Sequence, residues 1–175
     1  HEALISSLLP AAVPAPKLKF SIDDYGWVLL CFEFVDGHLP KTPWQPTELL
    51  LVLNSLELLM KGLDPNPVLG EELPLASTVL SQTFTTWQRL KAGESGPLAE
   101  SNWPTNLRSR LDVFADYEAQ IGEGTAGDAL IHFDIRADNT LIDANDNVWF
   151  LDWAHPIVGA SWVDAVVFPP TVSTS

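Results

Sequence analysis

The stretch HFDIRADNTLIDANDNVWFLDW, residues 132–153, decides how the rest of the chain is read. It contains two short β-like runs, Thr140–Asp143 and Val148–Leu151, separated by Ala144–Asn147, a turn rich in Asn and Asp. Paired as a hairpin, the two runs bring their far ends side by side. Asn139 and Asp152 then converge, with Asp134 nearby in the loop that follows a third run, Ala129–His132. Asp134 and Asn139 stand five residues apart, and Asp152 directly follows the second hairpin strand.

That set suits phosphoryl transfer. A triphosphate is heavily anionic, and the Mg2+ that bridges its oxygens takes hard ligands such as carboxylate and amide carbonyl. A separate carboxylate must orient the acceptor hydroxyl and take its proton. Kinase-type sites meet both needs with a catalytic-loop Asp, an Asn five residues on, and a later Asp after a hairpin. The expected roles are therefore Asp134 as base, with Asn139 and Asp152 as metal ligands. His132 is expected to hold the loop's shape rather than do chemistry. An Asp-x4-Asn spacing alone recurs by chance; His132, the hairpin length and Asp152-Trp153 make the pattern specific. Asp143, Asn145 and Asp146 are ordinary turn residues. Asp164 falls in the otherwise apolar run SWVDAVVF (161–168), the start of a helix, and is expected to be a buried structural carboxylate that accepts hydrogen bonds from loop backbone.

Moving outward, Thr47–Leu63 is helical, with Pro46 or Thr47 suited to its start and Leu49, Leu50, Leu53, Leu56 and Met60 as its apolar stripe. Two further helices are expected, Ser77–Lys91 and Asn106–Ile121, capped by Ser77 and Thr105 and separated by a Gly-, Ser- and Pro-rich stretch. Nearer the N-terminus, Leu18–Ile22 and Trp27–Phe34 flank Asp23-Asp24-Tyr25-Gly26, which predicts an antiparallel hairpin. Its second strand is apolar on both faces, as a central strand would be. The residues before Pro10 predict a short amphipathic helix with Leu4, Ile5 and Leu8 on one face. This order is α+β. Residues 1–36 are expected to be the remainder of an N-terminal lobe, 37–46 a hinge, and 47–175 a mainly helical C-terminal lobe with the catalytic loop and metal-binding hairpin.

Hydrophobic residues make up 46% of the chain and charged residues 18%, a globular balance. Cys31 is the single cysteine, so a reducing, cytoplasmic compartment is the expected home. Twenty-three acids against nine Lys and Arg leave a net charge of -14. Such a surface repels phosphate backbones and anionic lipid, which argues against nucleic acid or a membrane as partner. It either attracts a cationic ligand or serves solubility alone. No apolar run approaches the roughly 20 residues that span a bilayer.

The stretch HFDIRADNTLIDANDNVWFLDW resembles the signature of the aminoglycoside phosphotransferase family, H-G-D-x-x-x-x-N followed by I-D-W or V-D-W. HPIVGASWVDAVV (155–167) resembles that family's G-x-P-x-W-D-L-A helix start. The Arg-Ala-Asp-Asn form is similar to a bacterial subgroup, as are VPAPKL, WVLLCFEFVDG and the Pro-Trp before the first long helix. The resemblance implies a protein-kinase-like, two-lobed phosphotransferase. It would use ATP or GTP, with Mg2+, to phosphorylate a small molecule such as an aminoglycoside, a sugar or an amino alcohol. It further implies that CFEFVDG (31–37) receives the purine through backbone groups of Glu33, Phe34 and Val35, with Phe32 at the back of the pocket. Glu2 would be the helix Glu that pairs with a phosphate-binding Lys, or else a solvated terminal residue. Arg136 would brace the catalytic loop or touch phosphate.

The sequence also departs from the family pattern. Phe133 stands where the family usually has Gly, which should crowd the loop but removes no ligand. No glycine-rich phosphate loop or strand Lys precedes Glu2, the helices expected after Pro170 are missing, and the chain begins without Met. The expectation is therefore an incomplete stretch of a longer protein. A non-catalytic, nucleotide-binding pseudokinase is the alternative, against which the retained Asp134, Asn139 and Asp152 argue. A structural cation site in an unrelated helical protein is a third reading, and it predicts metal binding without nucleotide binding.

Overall fold

The computed structural model describes residues 1–94 and 105–173. In chain order the elements begin with α1 (Glu2–Leu8), β1 (Leu18–Asp24), β2 (Trp27–Phe32), β3 (Gly37–His38) and α2 (Pro46–Gly62). Five short helices follow: α3 (Ala76–Thr83), α4 (Thr86–Lys91), α5 (Thr105–Arg108), α6 (Leu111–Ala119) and α7 (Ile121–Gly124). The chain ends in β4 (Ala129–Ile131), a 3-10 turn (Ala137–Asn139), β5 (Thr140–Asp143), β6 (Val148–Phe150), β7 (Ile157–Gly159) and α8 (Val163–Ser173). Two compact units result, one of residues 1–73 with 127–175 and one of residues 74–126. No helix among the described residues is long and apolar enough to cross a membrane.

The first unit contains three small antiparallel sheets, β1–β2, β3–β5–β6 and β4–β7. Its core gathers Val52, Leu56 and Leu59 of α2 with Ile5, Leu130, Ile135, Ile142, Phe150, Trp153 and Phe168. Pro46 occupies the first turn of α2, where its missing N–H costs nothing. At the other end of that helix the Leu63 carbonyl accepts the Leu130 N–H at 2.9 Å, tying α2 to β4. The β5–β6 hairpin pairs Thr140 with Phe150 and Ile142 with Val148, as the turn chemistry of residues 144–147 predicts. Asp143 fastens that turn: its carboxylate accepts the Asn147 side chain, the backbone N–H groups of Asn145 and Asn147, and Trp149 Nε1. These bonds, the Asn147 side chain foremost, lower its pKa to about 2.

Several expectations are corrected. The α2 stripe is rotated. Val52, Leu56 and Leu59 are its buried residues, whereas Leu50 and Leu53 face solvent, because an almost continuous Leu run leaves the choice of face to the neighbours. In α1 the buried residues are Ile5 and Ser6, with Leu4 and Leu8 exposed. The β2 strand is not central. It pairs only with β1 among the described residues, and Trp27 is 81% exposed. Its hairpin forms as expected but with a tighter turn: Asp23 and Asp24 join the strand, and only Tyr25 (φ 49°) and Gly26 (φ 80°) form the loop. The stretch 37–46 is not wholly a linker, since Gly37 and His38 pair with Asp143 and Ile142. A side chain at Gly37 would sit 2.8 Å from the Ile142 carbonyl oxygen, so this approach requires glycine.

In the second unit the predicted helix 77–91 is two helices, broken at Phe84, and the predicted helix 106–121 is three. Ser77 lies inside α3, whose N-cap position is Leu75, with no side-chain cap. The restart at α4 has a tertiary cause. The buried carboxylate of Glu118 accepts the N–H groups of Trp87 and Gln88 at 3.2 and 2.7 Å and so caps the new helix from another element. Residues 95–104, most of the Gly-, Ser- and Pro-rich stretch, and the side chain of Thr105 lie outside the described residues.

Two neighbours on α2 test this packing. Leu59→Ala should lower unfolding stability by about 2–5 kcal/mol through the cavity it leaves. Leu58→Ala, at a 64% exposed position, should change it by no more than about 0.5 kcal/mol. Urea unfolding of both variants decides the matter. At Asp143 the depressed pKa means that the turn's contribution is present above the ordinary aspartate value and is lost as pH falls through about 2. A carboxyl NMR titration should find that value in the wild type and a higher one in Asn147→Ala.

Candidate active site

The segment after β4 is built around one buried imidazole. His132 is 1% exposed, and its ring packs edge-on against Trp153 with centroids 4.5 Å apart. Nε2 lies 2.7 Å from the Leu151 carbonyl oxygen, and Nδ1 receives the Asp134 N–H at 3.3 Å. A carbonyl can only accept and an N–H can only donate, so this pattern assigns the neutral ring with its hydrogen on Nε2. Burial holds His132 below the ordinary imidazole pKa, against the opposing pull of Asp164, the Leu151 carbonyl, Asp134 and Asp152.

Asp164, in the first turn of α8, fulfils the role expected of it. Its Oδ2 accepts the His132 N–H at 2.9 Å and its Oδ1 the Phe133 N–H at 2.8 Å. The carboxyl is 2% exposed; burial raises its pKa, and His132 and the two amides pull it down. Phe133 has φ 68°, a left-handed conformation that costs a non-glycine residue about 1–2 kcal/mol. That backbone gives the physical reason for the Gly usual here in the family that the sequence resembles. Ile135, 1% exposed, anchors the same loop to the core.

The loop and the hairpin end meet. Asn139 Nδ2 donates to the Asp134 carbonyl oxygen and to Asp134 Oδ2, both at 3.0 Å, which leaves Oδ1 as the amide's remaining polar atom. The Asn139 carbonyl accepts the Leu151 N–H at 2.8 Å, so Asp152 follows one residue after the pairing point, at φ 62°. Asp134 and Asp152 both act electrostatically on His132. Among the described residues no three His, Cys, Asp or Glu side chains cluster as a metal site by themselves.

The other candidates lie as follows. Arg136 Nε is 3.5 Å from Asp134 Oδ1, and its fork is engaged by Asp138. Glu2 lies beside Asp152 and the Trp153 N–H; its pKa is raised first by burial and then by Asp152. No lysine among the described residues forms an ion pair with it. Phe32 ends β2. The Glu33 N–H donates to the Lys17 carbonyl at 2.8 Å, and Glu33 Oε1 accepts the Lys17 N–H at 3.0 Å. The Glu33 carbonyl and both backbone groups of Val35 have no hydrogen-bond partner among the described residues, and Phe34 is 89% exposed. Asp138 was not singled out from the sequence, although the alternation Asp134, Arg136, Asp138 carried the signal.

Removing the Asp164 carboxylate tests the loop's construction. Asp164→Ala strands two buried amides, each worth about 1–3 kcal/mol when unpaired. Urea unfolding should show a loss of that order, and a smaller one in Asp164→Asn, which keeps one acceptor.

No protein-family model and no curated protein sequence matches the chain. Among solved structures it is similar to a thermostable mutant of aminoglycoside phosphotransferase APH(4)-Ia in ternary complex with ADP and hygromycin B, at TM-score 0.54 and 13% identity. That match covers 93% of this chain and 59% of the other. The apo form of a thermostable mutant of the same enzyme gives TM-score 0.55 and 13% identity, with 95% and 60% covered. The chain thus spans about 60% of the length of these structures. At this identity the likeness is one of fold: a mixed α+β chain resembling the kinase-like fold of aminoglycoside phosphotransferases.

Proposed function

We propose that this chain carries the catalytic core of a small-molecule O-phosphotransferase of the aminoglycoside phosphotransferase family, using ATP or GTP and Mg2+. The observation that carries the reading is the 3.0 Å contact between Asp134 Oδ2 and Asn139 Nδ2, at the hairpin end from which Asp152 departs. In this reading residues 1–36 belong to the smaller lobe, 37–46 to the hinge and 47–175 to the larger lobe.

Asp134 is the base. As the acceptor oxygen bonds to the γ-phosphorus and the bond to the β-γ bridging oxygen breaks, the hydroxyl proton passes to the Asp134 carboxylate and the nucleoside diphosphate, ADP or GDP, leaves. Asn139 Oδ1 and the Asp152 carboxylate are hard oxygen donors and fit Mg2+, which takes one or two protein ligands and fills its sphere with water and phosphate. Held by these two residues, the metal would supply positive charge to offset that of the phosphates. His132 holds the loop, and its neutral ring adds no charge beside the base. The Glu33 carbonyl and the Val35 N–H offer an acceptor and a donor to the edge of a purine, with Phe32 behind it. The net charge of -14 favours a cationic acceptor, and a structural neighbour in complex with hygromycin B supports that class. The free thiol of Cys31 suits a cytoplasmic protein.

A thermal-shift panel tests the binding half: Mg2+ and ATP or GTP together should raise the midpoint more than the sum of their separate effects. Turnover against a panel of aminoglycosides, sugars and amino alcohols tests the rest. Asp134→Asn should abolish phosphorylation and leave nucleotide affinity near that of the wild type. Wild-type turnover in that variant removes Asp134 as base, while nucleotide binding without turnover in the parent protein favours a pseudokinase. Asp152→Ala should weaken Mg2+-dependent nucleotide binding by calorimetry, and unchanged affinity removes it from the metal site.

A further inference from the structure

Between Asp134 and Asn139 the loop presents two acids to one base. Arg136 Nε donates to Asp138 Oδ1 and Nη2 to Asp138 Oδ2, each at 3.0 Å, a two-pronged fork on one carboxylate. The same Nε stands 3.5 Å from Asp134 Oδ1, within ion-pair range, but its single hydrogen is already given to Asp138. Asp134 Oδ2 is occupied by Asn139 Nδ2. His132 does not compete for Oδ1, since its Nδ1 faces the Asp134 backbone N–H. Oδ1 is thus the Asp134 oxygen without a hydrogen bond among the described residues, and the cation beside it, Arg136, gives its Nε hydrogen to Asp138.

We propose that Asp138 is a positioning residue: by taking both prongs of the Arg136 guanidinium it keeps Arg136 from closing on Asp134, so that Asp134 Oδ1 stays open to the acceptor hydroxyl. This rests on the reading of Asp134 as the base. The physical reason is a competition for one N–H. Asp138 offers two parallel bonds where Asp134 can offer one, and the side chains are partly solvated, so neither ion pair is strong enough to override that geometry. Without Asp138, a guanidinium 3.5 Å from a carboxylate closes to a direct charge-assisted bond of about 2.7–2.9 Å, on the very lone pair the acceptor needs. Asp138 touches neither substrate nor metal in this scheme and acts only through Arg136.

Two measurements on the full chain test the proposal. In steady-state assays with the acceptor that the panel identifies, Asp138→Ala should lower kcat by at least about tenfold, the scale of a partly blocked general base, with little change in the nucleotide KM. The double variant Asp138→Ala/Arg136→Gln should regain most of that loss, a recovery that misfolding of the single variant cannot produce. Wild-type kcat in the single variant, or a double variant no faster than it, overturns the proposal. Crystal structures of the wild type and Asp138→Ala provide the second readout. Arg136 Nε should move into direct contact with Asp134 Oδ1, and an unchanged separation overturns the proposal. The crystallographic comparison needs no turnover, so a failure of the phosphotransferase reading, with every variant inert, is told apart from a failure of this one.

Discussion

Everything at the candidate site depends on two backbone N–H groups that no strand can pair. The β4 strand stops at Ile131, and the next two amides, of His132 and Phe133, point into protein rather than solvent. Asp164 accepts both, one with each oxygen. A buried carboxylate is costly unless it is well satisfied, and two amide donors beside a neutral imidazole supply that satisfaction. In return the carboxylate holds Phe133 in a left-handed conformation that Phe would otherwise avoid. That bend turns the chain so that Ile135 can enter the core while Asp134 and Arg136 remain partly exposed on either side of it.

The imidazole of His132 carries this order across to the hairpin. Because Nε2 meets the Leu151 carbonyl and Nδ1 meets the Asp134 N–H, one ring sets the spacing between the loop and the end of β6. The backbone bond from Leu151 to the Asn139 carbonyl closes the same gap from the other side. Asn139 then clamps Asp134 through both its backbone and its carboxylate. Side chains from a loop, a strand end and a helix start therefore form one hydrogen-bonded frame. Frames of this kind fix a side chain more narrowly than a surface loop can, and under the proposed reading that placement is what Asp134 would need as a base.

Legibility in the sequence followed the range of the forces involved. The β5–β6 hairpin was legible because its turn is stabilised by neighbours in sequence, with Asp143, Asn145 and Asn147 bonding within five residues. The start of α2 at Pro46 and the burial of Asp164 were legible for similar reasons: proline's fixed φ, and a lone charge in an apolar run. The buried face of α2 was not, since eight Leu residues at 49–63 offer more apolar surface than one core can take. The break between α3 and α4 was not either, because the capping carboxylate of Glu118 arrives from 30 residues away. Likewise β7 was missed: three residues, Ile157–Gly159, carry no alternation, and only their pairing with β4 makes them a strand.

By itself the sequence determined which residue types stand at which spacing: an Asp and an Asn five apart, a short hairpin, and an Asp directly after it. Those are local matters, set by turn chemistry and by the two-residue period of a strand. Only the tertiary structure decided that Asp138 and not Asp134 takes the Arg136 fork, that Glu2 lies against Asp152, and that the His132 ring carries its hydrogen on Nε2. Each of those outcomes is a choice among competing hydrogen-bond and charge partners, and such a competition is settled by which groups packing brings within about 3 Å of one another.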